Sequence, residues 1–540
     1  MGNLLAVQIG PVQGFISAAR KTRDLWAGSF LLSYLAAAMH AEIDKLSGRG
    51  LRTVFPNVPK EGSIYDFFRE NVTLSAKNLI PSLPNKLLFY LDENTDVSSV
   101  AKSLESAARG VLSDISECVL DDFKGCVDEE KFRGQVGAFL EFYWAAVPCS
   151  ESDFGTAYGH VNRVIAAVKN TRLFSQPAEN TSWKYGIDRN RDVLDGTNET
   201  VILDHSRLAV LSGDVSGRSE HMGAMTFIKR YFVKSYLLKK FVGRNLRKED
   251  VPFADTYQIA DSSPYYCIMA FDGDEMGKWL SGEKRASTGG VDSRYVGAFS
   301  SELSKFTNEV FMFFKGGESN AAGSAGSLIY AGGDDVLAFL PVSDVLSYAR
   351  QLHDNFAEHG LEGIHFGSSC GISIGHKKSP MRDLKRAAGR AEAAAKNKYG
   401  RNALGISVCK RSGEIIEWGV PFEFSEVMNF FTLLSKALHN GVSARLPYDM
   451  LRMIESYEAF CSLEFSDSDF IANICGILRS DFDAVMDGKQ IPSDKRSELA
   501  DAFKEMLDEL AACGRDFCAG TKLAGYVADL FRVVAWIDKK

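Results

Sequence analysis

"LIYAGGDDVLAFL" runs from Leu328 to Leu340. Two apolar arms flank Gly332, Gly333, Asp334 and Asp335. The arms read as strands and the Gly-Gly as a tight hairpin turn. A turn accounts for one aspartate easily, because Asp and Gly are default turn residues. Two adjacent carboxylates at the tip of an otherwise apolar hairpin ask for a third carboxylate and a cation.

The flanking elements supply a frame. Upstream, "PYYCIMAFDGDEMG" opens with an apolar run from Tyr265 to Phe271, a buried strand that ends at Asp272, and a helical stretch follows over about 299–314. Downstream come a helix over about 342–359, a strand at "FGSSCGISIG", an Ala-rich helix from Pro380 to Lys398 and a strand at "ALGISVCK". The order β-α-β-β-α-β-α-β begins with the six elements of a ferredoxin-like split βαβ. In such a sheet the first strand and the β-β hairpin can lie side by side, so Asp272, Asp334 and Asp335 can converge. Like charges within ~4 Å repel by ~4 kcal/mol at an effective dielectric of about 20. Convergence therefore needs a counter-charge, and Mg²⁺ or Mn²⁺ takes carboxylate oxygens while sharing its other positions with phosphates. The stretch "AKNKYGRN" adds Lys396, Lys398 and Arg401 as groups able to neutralise phosphate oxygens; a positively dressed helix C-terminus is the plainer account of the same three residues.

Length and composition bound the rest. A chain of 540 residues is too long for one core. No run of 18 apolar residues occurs, and the start "MGNLLAVQIG" reads as a strand rather than a signal peptide, so the expected location is the cytoplasm. Ten cysteines without any CxxC pair fit free thiols in a reducing compartment. The net charge of -8 argues against a free-standing nucleic-acid binder but leaves room for a subunit whose partners carry the basic surface. The basic cluster from Lys229 to Lys248 reads as a solvated helix face, with a nucleic-acid contact as the alternative.

Four regions emerge. Residues 1–155 form an α/β unit, with strands at "LLAVQIG", "LRTVFP", "NKLLFYL" and "LEFYWAAVP", one long helix from Phe15 to about Ile43 and another over about 97–117. Residues 156–255 are a connector with helices and a short hairpin near 188–203. Residues 256–415 are the second α/β unit. Residues 416–540 read as helical throughout. The expected fold class is α/β (α+β).

On these motifs the chain resembles a known family. "AGGDD", "MAFDGDEMGKWLSG", "GRNALGISVCKRSGE" and the opening "IGPVQGFISAARKTRDLWAGSFLLSYL" are similar to the large Palm-domain subunit of type III CRISPR–Cas effector complexes, in its type III-B (Cmr) form. The resemblance implies two ferredoxin-like, nucleotide-cyclase-like Palm domains. It implies an ATP-dependent nucleotidyltransferase that makes a nucleotide second messenger, cyclic oligoadenylate, when the complex binds target RNA. The partners it implies are other Cmr-type subunits, the CRISPR RNA and target RNA. By motif, Asp272, Asp334 and Asp335 are the catalytic, metal-binding carboxylates; Gly332 and Gly333 leave room for the nucleotide; Lys396 contacts phosphate; Ser29 and Ser33 line a second ATP position. The same site could join AMP to another acceptor such as S-adenosylmethionine, and a non-catalytic scaffold is the third reading. Relatives often begin with an HD nuclease domain, for which the strand at Leu4 leaves no room; His353-Asp354 reads as helix surface. Relatives often carry a zinc knuckle, whereas "SWKYGIDRNRDVLDG" has no cysteine, so no zinc is expected.

Overall fold

Leu4, Leu5, Ala6, Val7 and Ile9 are all fully buried, so the strand they form has apolar cover on both faces. In the computed structural model this strand, β1 (Gly2–Gly10), is central to a four-stranded sheet with β2 (Arg52–Phe55), β3 (Lys86–Leu91) and β4 (Glu141–Cys149). The structure describes residues 2–46, 50–171, 200–212, 221–251, 256–260, 263–285, 290–314, 326–461, 468–489, 491–518 and 522–537. The order is β2-β3-β1-β4, and β1 runs antiparallel to β3 and β4, as β3 does to β2. With helices Thr22–Leu46 after β1 and Val97–Asp122 after β3, this is the ferredoxin-like pattern.

Contacts divide the chain into two compact units: 1–255 with 275–336 and 359–365, and 256–274 with 337–358 and 366–540. In the first unit one face of the sheet is covered by helix Phe154–Asn170, whose Phe154, Ala157, Val161 and Ile165 pack on Leu4, Ala6, Ala145 and Val147. That helix and helix Glu129–Phe139 were not foreseen from the sequence. The single helix expected from Phe15 to Ile43 is instead broken into Gln13–Ser17 and Thr22–Leu46. The reason is Lys229, which is only 1% exposed. Its ammonium donates to the carbonyls of Phe15 (2.7 Å) and Ala18 and lies 4.6 Å from the centre of the Phe15 ring. Carbonyls spent on a lysine cannot continue a helical ladder.

The neighbouring Arg230 is equally buried. It donates Nε and Nη2 to the two oxygens of Asp24, both at 2.6 Å. Burial pushes the Asp24 carboxyl up, but Arg230 and Lys229 outweigh it and hold the group below its usual value. Both cations sit on helix Ala224–Phe232, so the connector helix is bolted to the segment that follows β1. The basic cluster is therefore largely structural. Lys234 caps the carbonyl of Leu211, Lys239 and Lys240 reach Asp122 and Asp114, and Arg244 takes the carbonyls of Asp66, Phe67 and Val72. The hairpin expected near 188–203 lies mostly outside the described residues, as does the whole of "SWKYGIDRNRDVLDG".

The second sheet holds β5 (Tyr265–Gly273), β6 (Ser327–Gly332), β7 (Asp335–Leu340), β10 (Ser368–His376), β11 (Ala403–Cys409) and β12 (Ile415–Pro421); β8 (Gly360–Leu361) and β9 (Ile364–His365) form a small separate hairpin. Its order is β12-β11-β10-β5-β7-β6, so the inner strands repeat the ferredoxin-like order, with β11 and β12 added at one edge. In the second unit β10 is antiparallel to β5 and parallel to β11. Helix Met381–Asn397 lies almost on the strands: a Cβ at Gly371 would stand 2.2 Å from the backbone nitrogen of Glu392, and one at Gly405 would stand 2.2 Å from the carbonyl of Ala391. Only glycine permits that approach. The region after Glu414 was expected to be helical, but β12 comes first. Its Trp418 stacks on Phe431 at 5.0 Å, which ties the strand to the helices beyond. Those helices share an aromatic core of Phe430, Phe482, Phe503 and Phe531, one from each of four helices. Among the described residues no helix is long and apolar enough to cross a membrane.

The buried pair makes a prediction. Arg230→Met alone strands the Asp24 charge and should destabilise the chain by ~3–5 kcal/mol, whereas Arg230→Met with Asp24→Leu should recover most of the loss. Thermal unfolding followed by circular dichroism checks it; a double variant that melts as low as the sum of the singles would contradict the pairing.

Candidate active site

The hairpin tip is shifted by one residue from the expected turn. Gly332 ends β6, Asp335 begins β7, and the turn is Gly333-Asp334. Gly333 has φ +70°, the left-handed value demanded at the first central position of a type II′ hairpin. Gly332 is needed for a different reason: a Cβ there would stand 2.1 Å from the Tyr330 hydroxyl oxygen. Gly333 is thus required by the turn, and Gly332 by the place that the Tyr330 ring takes.

The tip borders a solvent-open cleft within the first unit, with a cavity volume of about 90 Å³. One wall is helix Ser293–Phe314, through Ser300, Leu303, Ser304 and Asn308. The other is the loop after β2, with Phe55, Val58 and Ser63, joined by Lys77 and Ser82. Hydrogen bonds join the walls: Asn57 N–H donates to Ser300 Oγ at 2.7 Å, and Ser304 Oγ donates to the Asn57 carbonyl at 3.2 Å. Asp334 lines the cleft beside Gly332 and Gly333. Glu61 lines it as well, so the concave site has apolar walls, one lysine, several hydroxyls and two carboxylates, which suits a polar ligand with an aromatic part.

By surface area Asp334 is half-buried and Asp335 exposed, yet protein atoms crowd the surroundings of both. That packing raises both carboxyl groups above the ordinary range, Asp334 to about 7 and Asp335 to about 6, and repulsion from Asp335 adds to the rise at Asp334. Burial and the same two charges hold the Tyr330 phenol protonated. Two oxygen ligands short of a positive neighbour fit a hard divalent ion, which would relieve their repulsion.

Asp272 lies near the end of β5, the strand next to β7 in the sheet order. Its carboxylate is in contact with the Lys396 ammonium, which also sits 2.8 Å from Glu392. The residue expected to hold phosphate is therefore paired here with a residue expected to hold metal. Among the described residues no three His, Cys, Asp or Glu side chains are gathered as a metal site. Ser29 and Ser33, expected to line a substrate position, are 2% and 1% exposed. Ser29 Oγ donates to the Leu25 carbonyl at 3.4 Å and Ser33 Oγ to the Leu83 carbonyl at 3.0 Å. Both hydroxyls are spent on backbone carbonyls, one within helix Thr22–Leu46 and one outside it.

Asp274, the second acid of "DGD", has a separate environment. It accepts from Ser369 Oγ at 2.8 Å and from the Asn402 N–H at 2.8 Å. His353 was expected on a helix surface, but it is 9% exposed: its Nε2 is 2.8 Å from Asn402 Oδ1, its Nδ1 is 2.9 Å from Asp354, and its ring stacks on Phe422 at 3.9 Å. The partner missed in the sequence was Asn402, and the adjoining "GRN" was the available signal for an unusual turn.

Two family models match the chain: Cas10/Cmr2, second palm domain, over residues 265–405, and CRISPR-associated protein Cmr2, N-terminal, over residues 4–117. The CRISPR system Cmr subunit Cmr2 of Pyrococcus furiosus is 32% identical over 246 residues, which is 41% of this chain and 27% of that protein. The chain thus matches about a quarter of that relative's length. Two solved structures share the fold at 13% identity. A type III-B Cmr-beta chain in the apo state has a TM-score of 0.63, covering 95% of this chain and 82% of that one. A chain of Cmr-beta bound to cognate target RNA has a TM-score of 0.64, covering 100% and 83%.

The hairpin electrostatics set a pH dependence. A carboxyl raised in the folded state opposes folding once pH climbs above its unfolded value near 4, and the full opposition is reached above about 7 at Asp334. Asp334→Asn should therefore raise the melting temperature at pH 8 in metal-free buffer and leave it unchanged near pH 4. Added Mn²⁺ should protect the wild type at pH 8, less at pH 5.5, and the variant least of all. Melting curves across pH check both; an Asn variant less stable than wild type at pH 8 would overturn the assignment.

Proposed function

Since its second palm domain and its N-terminal domain make this chain a member of the Cas10/Cmr2 family, we propose that it is the large subunit of a type III-B effector complex and a metal- and ATP-dependent nucleotidyltransferase. Its product, in this reading, is cyclic oligoadenylate, made when the complex pairs with target RNA. The observation that carries it is the pair of adjacent carboxylates Asp334 and Asp335, both raised above the ordinary range, at the tip of a hairpin that borders an open cleft. A scaffold has no use for two adjacent carboxylates held against their own repulsion.

Asp272, Asp334 and Asp335 would hold Mg²⁺ or Mn²⁺, which when bound supplies a charge clamp for the triphosphate and lowers the barrier to deprotonating an attacking hydroxyl. The chain's own residues do the rest. Asp334 and Asp335 must shed their protons for oxygen ligation, which sets a rise of activity with pH through their raised values. With a nucleotide and a cation bound, Lys396 would exchange Asp272 for a phosphate, and the Asp272 carboxylate would be available to the cation. The cleft walls around Leu303 and Phe55 shelter an aromatic base, while Lys77 and the serines face its polar edge. Other Cmr-type subunits, the CRISPR RNA and target RNA are the partners in this reading.

The test is turnover by the assembled complex with target RNA, Mg²⁺ and radiolabelled ATP, with products identified by mass. Wild type should form cyclic adenylate oligomers. Asp334→Ala with Asp335→Ala should form less than ~1% of that product while assembling normally on gel filtration, because the loss falls on the charge-stabilising centre. A parallel incubation with S-adenosylmethionine identifies any transfer of AMP to that acceptor. Wild-type turnover by the double variant would remove the metal-site assignment.

A further inference from the structure

His359 has a carboxylate at each ring nitrogen. Its Nδ1 lies 3.2 Å from Glu302 Oε2 and its Nε2 lies 3.1 Å from Glu309 Oε2, and the side chain is only 8% exposed. A neutral imidazole has one donor and one acceptor, whereas an ionised carboxylate only accepts. Both contacts are therefore hydrogen bonds only when the ring carries two protons. With one proton, a nitrogen lone pair would face a carboxylate oxygen in a place nearly shut off from water, and that contact is unfavourable.

Glu302 and Glu309 stand two turns apart on helix Ser293–Phe314, and between them Phe306 sets its ring 6.0 Å from the imidazole, near edge-on. By the helical period these three residues share one side of the helix. Ser300, Leu303, Ser304 and Asn308, which line the cleft, lie on the opposite side. All of these residues belong to the first unit. The helix is thus tied through Asn57 on its cleft side and through His359 on its far side. The segment that carries His359 has a second anchor. Glu362, in the turn between β8 and β9, pairs with Arg285 at 2.7 Å, and the Arg285 guanidinium lies 4.7 Å from the centre of the Tyr295 ring on the same helix. Of the other charged groups on these elements, Lys305 Nζ is 2.6 Å from Glu302 Oε1, while Glu358 and His365 are exposed. Burial pushes the Glu302 carboxyl up, but Lys305 and His359 outweigh it and hold the group below its usual value.

We propose that His359 is a positioning residue of the cleft: as an imidazolium bridging Glu302 and Glu309 it fixes the helix that forms one cleft wall, and the wall loosens when the ring loses a proton. A bridge that favours the charged ring in the folded chain stabilises on the acid side of the ring's titration and fades on the alkaline side. Histidine is the side chain suited to such a change between pH 5 and 8. The consequence for a nucleotide rests on the reading above; the consequence for the helix does not.

Melting curves and hydrogen–deuterium exchange of the full chain at pH 5.5 and pH 8.5 test it, beside ATP kinetics of the assembled complex. At pH 5.5 His359→Leu should melt several degrees below wild type, and its amides over 293–314 should exchange about fivefold faster or more. At pH 8.5 both differences should shrink by more than about half, because the neutral ring keeps only one of the two bonds. His359→Gln keeps a donor, gives a smaller loss in the same direction and serves if the leucine variant fails to fold. Glu309→Gln offers an amide N–H to the unprotonated nitrogen of a neutral ring while the ring donates to Glu302, so the bridge no longer needs a second proton. In that background the effect of His359→Leu should be the same at both pH values. In the complex His359→Leu should raise KM for ATP about threefold or more and keep kcat within about twofold, as expected when uniform binding is lost. An effect of His359→Leu that is equal at the two pH values in the wild-type background would overturn the imidazolium bridge. Faster exchange spread over the chain instead of gathered in 293–314, or an unchanged KM in a complex that turns over ATP, would overturn the positioning role. A wild-type complex that makes no product fails the catalytic reading, and the exchange pattern then decides this inference by itself.

Discussion

Two buried cations, Lys229 and Arg230, set the shape of the first unit. Taking a charge out of water costs several kcal/mol, and only a close partner with good geometry offsets it. Arg230 finds that partner in Asp24 through two parallel bonds, the strongest arrangement available to a guanidinium. Lys229 finds the Phe15 and Ala18 carbonyls, which are available only because the helix breaks there. The break, the ion pair and the start of helix Thr22–Leu46 are thus one arrangement, and each part would be unfavourable without the others. Gly28 belongs to it too: a Cβ there would stand 3.2 Å from the Lys229 stem. What reads in the sequence as a signature segment, from Phe15 to Ser33, is in the structure a socket for a connector helix.

The hairpin tip handles charge in the opposite way. Asp24 is fully matched, whereas Asp334 and Asp335 are left with each other. A hairpin of this turn type would fold with one polar residue at the tip, so the second carboxylate adds repulsion and nothing to the turn. Natural chains keep such local conflicts where function requires them. The same contrast separates the acids of "DGD". Asp274 is buried and satisfied by a hydroxyl and an N–H, while Asp272 is half-exposed and paired with Lys396. One of them is built into the framework and the other is built to exchange partners.

Much of this was legible before the structure. Both βαββαβ orders, the hairpin and its carboxylates follow from apolar runs of strand length alternating with helical periods, which local patterning encodes well. The parts that were not legible depend on long-range partners. The break at Ala18 needs Lys229, more than 200 positions away, and the same lysine read locally as a solvated face. Helix Glu129–Phe139 has only two buried residues, Phe132 and Val136, so its period was too weak to read. Strand β12 was hidden because "IIEWGVP" carries glycine and proline near its end and gains its stability from β11 and the stacked Phe431. In the site, the residue types were readable but their pairings were not. No local rule says that Lys396 reaches Asp272, or that Asp274 reaches a backbone N–H 128 positions on.

The two ferredoxin-like sheets therefore share an order and differ in where they put charge. In the first, β1 ends in Ile9 and Gly10 and is followed by Pro11, with no acid where Asp272 ends β5 and Asp274 follows it. Its polar capacity is spent inside: the hydroxyls of Ser29 and Ser33 on carbonyls, Asp24 on Arg230. The cleft, which lies within the first unit, is walled by the segment from Phe55 to Ser63 and by helix Ser293–Phe314, and hydrogen bonds through Asn57 tie the two walls together. The first sheet thus has no acids to match those that the second carries at the end of β5 and at the hairpin tip.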